Sequence, residues 1–371
     1  MAKKLGFGLM RLPEKGSEID VKQVEQMVNL FMDRGFTYFD TAWMYCNFRS
    51  EEVTKQALVS RHDRDSFTLA TKLHSEFIQT EADRDKVFNE QRRKTGVDFF
   101  DYYLIHDVNS HSIETYDRLD VWKWLEDKKK AGLAREIGFS FHDGPELLDR
   151  VLTEHPEMEF VQLQINYLDW DSLGIRAREC YEVATKHGKP VTVMEPVKGG
   201  TLAAVPKEVE RLFREYAPDA SIPSWAIRFA ASQPNVRFVL SGMSTLEQVE
   251  DNTSYMQEMV PINEEELKRI KKAVDILSEG IAIPCTGCSY CVDGCPMQIP
   301  IPKYFALLNA ELQEVDGKGW TPQSEYYDNL TKENGKASDC IQCGQCEGIC
   351  PQHLPVIKHL QEVAEQFENI V

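Results

Sequence analysis

Eight of the ten cysteines fall between residues 285 and 350, in two copies of one spacing: Cys285-x2-Cys288-x2-Cys291-x3-Cys295-Pro296 and Cys340-x2-Cys343-x2-Cys346-x3-Cys350-Pro351. Three thiolates at this spacing can each take one iron of a [4Fe-4S] cube, and the fourth cysteine of the run ligates the other cube. The expected ligand sets are Cys285, Cys288, Cys291 and Cys350 for one cluster, and Cys340, Cys343, Cys346 and Cys295 for the second. A tetrahedral zinc centre would use paired Cys-x2-Cys units and has no use for the other cysteines or the prolines.

A second constellation lies in the first third of the chain. Asp40 and Tyr45 stand five residues apart in Phe39-Asp40-Thr41-Ala42-Trp43-Met44-Tyr45, Lys72 follows Ala70-Thr71, and His106 sits in Leu104-Ile105-His106-Asp107. Reducing a carbonyl by hydride needs a proton donor at the developing alkoxide, and a free phenol with a pKa of ~10 is a weak one at neutral pH. A lysine beside the phenol would lower that pKa, an aspartate would keep the lysine charged, and an imidazole could hydrogen-bond the substrate oxygen.

These four side chains can meet only if the chain brings their segments to one rim. Short apolar or β-branched runs at Leu5–Leu9, Thr37–Asp40, Phe67–Thr71, Tyr102–Ile105, Glu136–Phe139, Phe160–Gln164, Pro190–Met194 and Phe238–Leu240 alternate with segments of helical period such as Val21–Asp33 and Leu173–Lys186. Eight strands with intervening helices in about 250 residues predict a (β/α)8 TIM barrel, whose chemistry sits at the C-terminal ends of its strands. Asp40, Tyr45, Lys72 and His106 follow strands two, three and four. An open doubly wound sheet is the alternative, but Gly6-Phe7-Gly8 lacks the third glycine of a dinucleotide fingerprint.

On these residues the chain resembles the aldo-keto reductase family, whose Asp, Tyr, Lys and His tetrad occupies these strand ends in this order. The resemblance runs from about Leu5 to Ser278 and implies a nicotinamide cofactor held at the ends of strands five to eight. It places Ser140, Gln164, Met194, Lys198, Ser241, Gly242, Met243, Ser244, Gln248 and Asn252 in the cofactor site. Departures are visible: Phe141 stands where an asparagine follows the serine, and Met194 replaces the aromatic that stacks on nicotinamide. The family's cations for a 2′-phosphate would align with Gly242 and Gln248, which are uncharged, so NAD(H) is expected over NADP(H). Lys198 and Arg11 are the remaining cations near this face. The tail resembles ferredoxin-type two-cluster domains, and the combination resembles a branch of the family that covers the whole chain.

The expected organisation is therefore a barrel over residues 1–280 and a small, largely helical ferredoxin-like domain over 281–371, with helices at Ile301–Leu312 and Val356–Phe367 and a linker from Gly280 to Pro284. With 60 acidic and 42 basic residues the net charge is -18, the wrong sign for binding nucleic acid or anionic lipid. Ten cysteines without a signal peptide or a membrane-length apolar run point to metal ligation in a cytoplasmic protein.

Two functions follow. In the first the chain is an oxidoreductase interconverting a small carbonyl compound and its alcohol, with the clusters relaying electrons to a ferredoxin or other redox partner. Hydride moves two electrons together and a cluster moves one, so this reading calls for a flavin or similar carrier, or for clusters with a structural role. In the second the chain is an electron-transfer module whose barrel is a scaffold. The chain passes directly from Ser278 into the cluster ligands, so the cluster domain is expected to cover the catalytic rim. Cys180 is expected to be a packed hydrophobe, and Cys46 a candidate redox-sensitive thiol.

Overall fold

The computed structural model describes residues 3–279, 282–285, 287–313, 320–350 and 352–368. The expected linker residues Gly280 and Ile281, the boundary between them, and Pro351 of the second cysteine motif lie outside these.

Eight parallel strands close into a barrel: β1 (Leu5–Gly8), β2 (Tyr38–Asp40), β3 (Thr68–His74), β4 (Phe100–Val108), β5 (Ala134–Phe141), β6 (Phe160–Gln164), β7 (Val191–Met194) and β8 (Val236–Ser241). Each pairs with its chain neighbours and β8 closes on β1, with Leu5 opposite Val239. All eight expected strands are present, and β3, β4 and β5 run longer than the apolar runs suggest. The barrel interior is filled by Tyr38, Ala70, Tyr102, Leu104, Phe160 and Leu240. Gly138 is required there, because a Cβ would come within 2.4 Å of the Phe160 carbonyl oxygen on the neighbouring strand.

The helices cover the outside. Val21–Asp33 is capped by the Asp20 side chain, which accepts from the Gln23 amide at 3.1 Å, and it buries Val24, Met27, Val28 and Phe31. That is the face a 3.6-residue period lays against a sheet. The helix expected from Leu173 begins at Ala177 instead. Three of the four preceding residues meet the tail: Ile175 belongs to its apolar core, as does Ala177 at the helix start, Gly174 lies against Leu307, and Leu173 lies under Gly287, where a Cβ would come within 2.4 Å of it.

The tail is helical, with helices at Ile301–Glu311, Pro322–Thr331 and Val356–Phe367 around a core of Ile299, Tyr304, Phe305, Leu308, Tyr327, Leu360 and Val363. Pro322–Thr331 starts with proline in its first turn and with the Thr321 hydroxyl accepting from the Ser324 amide at 3.2 Å, a strong local start signal. This helix sits on the C-terminal rim of the barrel. Asn109 Nδ2 donates to Glu325 Oε1 at 2.6 Å, Asn329 Nδ2 to the His142 carbonyl at 2.7 Å, and His111 Nε2 meets the Asp328 carbonyl at 2.8 Å. Lys332 reaches the Ser110 carbonyl, and Thr201 Oγ1 donates to the Gln313 carbonyl at 3.0 Å. The expectation that the tail covers the catalytic face is met. Among the described residues no helix is long and apolar enough to cross a membrane.

Candidate active site

Strand register assembles the tetrad. Lys72 lies opposite Leu104, and His74 opposite His106, on adjacent parallel strands. Side chains alternate with period two, so Lys72, His74, Leu104 and His106 share one face. Lys72 is fully buried and makes three contacts: Asp40 Oδ1 at 2.5 Å, the Thr41 carbonyl at 2.8 Å and the Tyr45 hydroxyl at 3.3 Å. The Tyr45 and His106 rings meet edge to face with centroids 5.9 Å apart. Acid, amine, phenol and imidazole are therefore one connected group.

Burial dominates the electrostatics. It works against the Lys72 ammonium, but Asp40 and Tyr45 outweigh it and hold the amine above its ordinary value. Burial pushes the Asp40 carboxyl up against the pull of Lys72. It also pushes the Tyr45 phenol up, and Lys72 opposes this without reversing it. The sequence led us to expect a lowered phenol. The direction of the lysine's effect is as expected, but desolvation in the closed rim is larger. His106 is held well below the ordinary imidazole value by burial and by its neighbours His74 and Lys72, so it is neutral.

The mouth is strained. Cys46, Asn47 and Phe48 after the tyrosine have φ of 52°, 53° and 65°, and Asp107, Glu195 and Lys198 at other strand ends also lie in the left-handed region. Side chains other than glycine hold that conformation only where the surroundings impose it. Cys46 is half-buried, its thiol lies 3.3 Å from the Met10 carbonyl, and burial pushes it up, which does not make a reactive thiolate. Cys180 is buried among apolar side chains, as expected.

The residues expected to hold a nucleotide are brought to the same end of the barrel. Ser140 Oγ accepts from the Asp107 amide at 2.8 Å. Gln164 donates to Asp169 Oδ2 at 2.9 Å, and its Oε1 is buried without a hydrogen-bond partner. Met194 stands beside it, opposite Gln164 in the β6–β7 ladder. After β8, Ser241 Oγ accepts from Asn252 Nδ2 at 3.0 Å, Ser244 gives its amide to Gln248 Oε1 at 2.6 Å, and Gly242 is exposed with the Arg11 chain alongside. The Met243 side chain is buried in the core. Lys198 is buried and bonded to Asp169 at 2.9 Å. Asp169 also accepts from Asn166 at 2.7 Å, so it organises three site residues.

The sequence reading also missed the rest of the mouth. His74 packs on His106 with centroids 5.2 Å apart and lies 3.6 Å from Asp107 Oδ2; its position two residues beyond Lys72 on the same strand face was the available signal. His142 touches Trp320 and Tyr326 of the tail. Glu195 acts electrostatically on both Tyr45 and His142.

The cysteines form two pockets. One is lined by Cys285, Cys288, Cys291 and Cys350 with Ile301, Phe305 and Val356; the other by Cys295, Cys340, Cys343 and Cys346 with Ile299, Ile301 and Leu360. Each draws three cysteines from one motif and the fourth from the other. Among the described residues no group of three potential ligands closes on a single ion. Four thiols spread around an apolar pocket fit a cube, each corner of which takes one thiolate. Gly287, between Cys285 and Cys288, holds φ +69°, a conformation glycine adopts without strain.

Residues 4–275 match the family described as the aldo/keto reductase family, and residues 284–355 match the 4Fe-4S dicluster domain. The chain is similar to 3-alpha-hydroxysteroid dehydrogenase of Rattus norvegicus, 31% identical over 156 residues, a match covering 37% of this chain and about half (46%) of that relative. Among solved structures, aldo-keto reductase AKR11C1 from Bacillus halodurans in its holo form superposes with a TM-score of 0.60 at 25% identity, over 73% of this chain and 91% of that one. An aldo-keto reductase from Klebsiella pneumoniae in complex with NADPH superposes with a TM-score of 0.57 at 19% identity, over 73% and 90%.

Proposed function

The chain belongs to the aldo/keto reductase family and carries a 4Fe-4S dicluster domain, and from that premise we propose that it interconverts a small carbonyl compound and its alcohol, with Tyr45 as the proton donor. The observation that supports this most is the Lys72 amine, which reaches Asp40 and the Tyr45 hydroxyl at the same time in a buried site.

The chain's own groups divide the work. Asp40 keeps Lys72 charged; Lys72 holds the phenol oxygen and stabilises it as its proton leaves for the substrate oxygen. His106, neutral, can hydrogen-bond that same oxygen without competing for the proton. A nicotinamide nucleotide, when bound, supplies the hydride. Ser140, Gln164 and Asn166 would hold its carboxamide end, and the turn from Ser241 to Ser244 entering the helix Leu246–Met256 would face its phosphates. With Gly242 and Gln248 uncharged, NADH is the favoured form.

Two [4Fe-4S] clusters, when bound, supply one-electron transfer. Cys285, Cys288, Cys291 and Cys350 would hold one, and Cys295, Cys340, Cys343 and Cys346 the other. Cys288 and Cys343 are exposed, and Tyr290, Ile341 and Ile349 present apolar surface beside them, which favours exchange with a redox partner over a structural role alone. A flavin would be the carrier that joins one- and two-electron steps.

Anaerobic purification followed by iron, sulfide, flavin and nucleotide analysis tests the cofactor assignment. Tyr45→Phe tests the catalytic one: carbonyl reduction should be abolished while nucleotide binding and iron content stay as in the wild type. A variant that still reduces carbonyls, or that loses its nucleotide, counts against the assignment.

A further inference from the structure

The mouth of the barrel is not closed by barrel residues alone, and the residues that close it have a common character. Trp320 leaves 56% of its surface exposed and packs edge-on against the His142 ring at 6.1 Å. Its indole Nε1 donates to Glu325 Oε2 at 3.4 Å, and Glu325 is tied through Asn109 to Asp107, the residue after His106. Facing these from the barrel is Glu195, which acts on Tyr45 and His142 together. Asp107 and Glu195 thus act on His142 and Glu325 is bonded to the indole that packs on it, while Lys72 and Lys198 at this end are held by Asp40 and Asp169. The His142 Nδ1 is buried without a partner, and burial keeps the ring neutral.

We propose that the cluster domain supplies the substrate-selecting wall of the active site: Trp320, packed against His142, and Glu325, bonded to that indole, admit uncharged carbonyl compounds and turn away carboxylated ones. The argument rests on the catalytic reading above. Burial and Asp107 push the Glu325 carboxyl up to about 7, so above that pH it is ionised, and a carboxylate substrate would then add a further negative charge beside Asp107, Glu195 and Glu325 in surroundings where water screens poorly. A neutral substrate adds no charge there and can lay its C–H face on the exposed indole. Asp107 and His74 across the seam and Asp328 on the same helix are the charged or titratable groups that act on Glu325.

The test uses the cluster-loaded full chain at pH 8 and two aldehydes of the same shape, 4-nitrobenzaldehyde and 4-carboxybenzaldehyde. The wild type should favour the nitro compound by about tenfold in kcat/KM. Glu325→Gln, which keeps the shape and the Asn109 acceptor, should shrink that ratio at least threefold, with cluster absorbance unchanged. Trp320→Ala, a surface change that leaves the fold alone, should raise KM for both aldehydes several-fold and leave kcat in place. An unchanged ratio in Glu325→Gln, or an unchanged KM in Trp320→Ala, overturns the proposal while leaving the catalytic reading standing. Turnover of 4-nitrobenzaldehyde by Tyr45→Phe overturns the catalytic reading, and the proposal falls with it.

Discussion

Glu51 lies on the short helix Ser50–Thr54 behind Lys72, with no exposed surface, and its position makes a quantitative prediction. One oxygen accepts from the Thr71 hydroxyl at 2.8 Å and the other is buried without a partner. Burial, opposed by the Thr71 bond and by Lys94, pushes the carboxyl from an ordinary 4.5 up to about 7. The folded chain therefore keeps a proton that the unfolded chain releases. Stability from this group is fully present below about pH 4.5 and is lost as pH rises through about 7. At 1.36 kcal/mol per pH unit, the wild type loses about 2.5 kcal/mol between pH 5 and 8 from Glu51 alone, and the limit above pH 8 is ~3.4 kcal/mol. Glu51→Gln cannot titrate and still accepts from Thr71. Urea unfolding followed by tryptophan fluorescence, run anaerobically on both proteins at pH 5, 6.5 and 8, isolates the effect, because every other titrating group is common to the two. The variant's stability relative to the wild type should climb by about 2.5 kcal/mol over that range. A difference that stays flat would show that Glu51 ionises freely in the folded chain and would refute the argument from burial.

Further outcomes follow from the same geometry. Cys350→Ser should remove the cluster of Cys285, Cys288 and Cys291, although it lies in the other motif, and leave about four of about eight irons per chain, measured by iron analysis; loss of the Cys340 cluster instead would reverse the ligand assignment. The uncharged Gly242 and Gln248 predict at least a tenfold preference for NADH over NADPH, about 1.4 kcal/mol, in binding titrations. Parity would assign the 2′-phosphate to Arg11, and Arg11→Ala would then recover the preference. Lys72→Met should leave Asp40 as an unpaired buried charge and destabilise the barrel by about 3–5 kcal/mol, seen as a lower unfolding midpoint.

What the sequence discloses here is what short-range chemistry determines. The strands read correctly because each is an apolar run of fixed period, and the meeting of Lys72 and His106 at one rim is legible because a parallel barrel sends its strand ends there. Cysteine spacing is likewise local, and the two pockets draw on the cysteines that spacing assigns. The misreadings all involve a partner distant in sequence. Lys198 reads only as a cation near the cofactor face, and nothing local shows that Asp169, 29 residues earlier, holds it. Leu173 looks helical until the tail claims the residues after it. The Tyr45 phenol moves up because its surroundings exclude water, a quantity set by the whole rim. Glu325 and Asn109 are 216 residues apart, and no periodicity connects them.

That last contact has a consequence for how the halves depend on each other. Ile301 lines both cysteine pockets and opens the helix Ile301–Glu311, which packs on the tail helices beside it. Each pocket takes its fourth cysteine from the opposite motif, so neither can form without both ends of the tail in place. The tail's apolar core is small, and in such domains metal binding contributes directly to folding. The barrel has its own large core and its own closed sheet. Removing the clusters with a chelator should therefore unseat Pro322–Thr331 from the rim while the barrel stays folded. The barrel's circular dichroism would persist, the exposed indole of Trp320 would leave His142, and the preference between charged and uncharged aldehydes would fall. If cluster removal left that preference unchanged, the rim helix would be held by its barrel contacts alone, and the tail's fold would not depend on its metal.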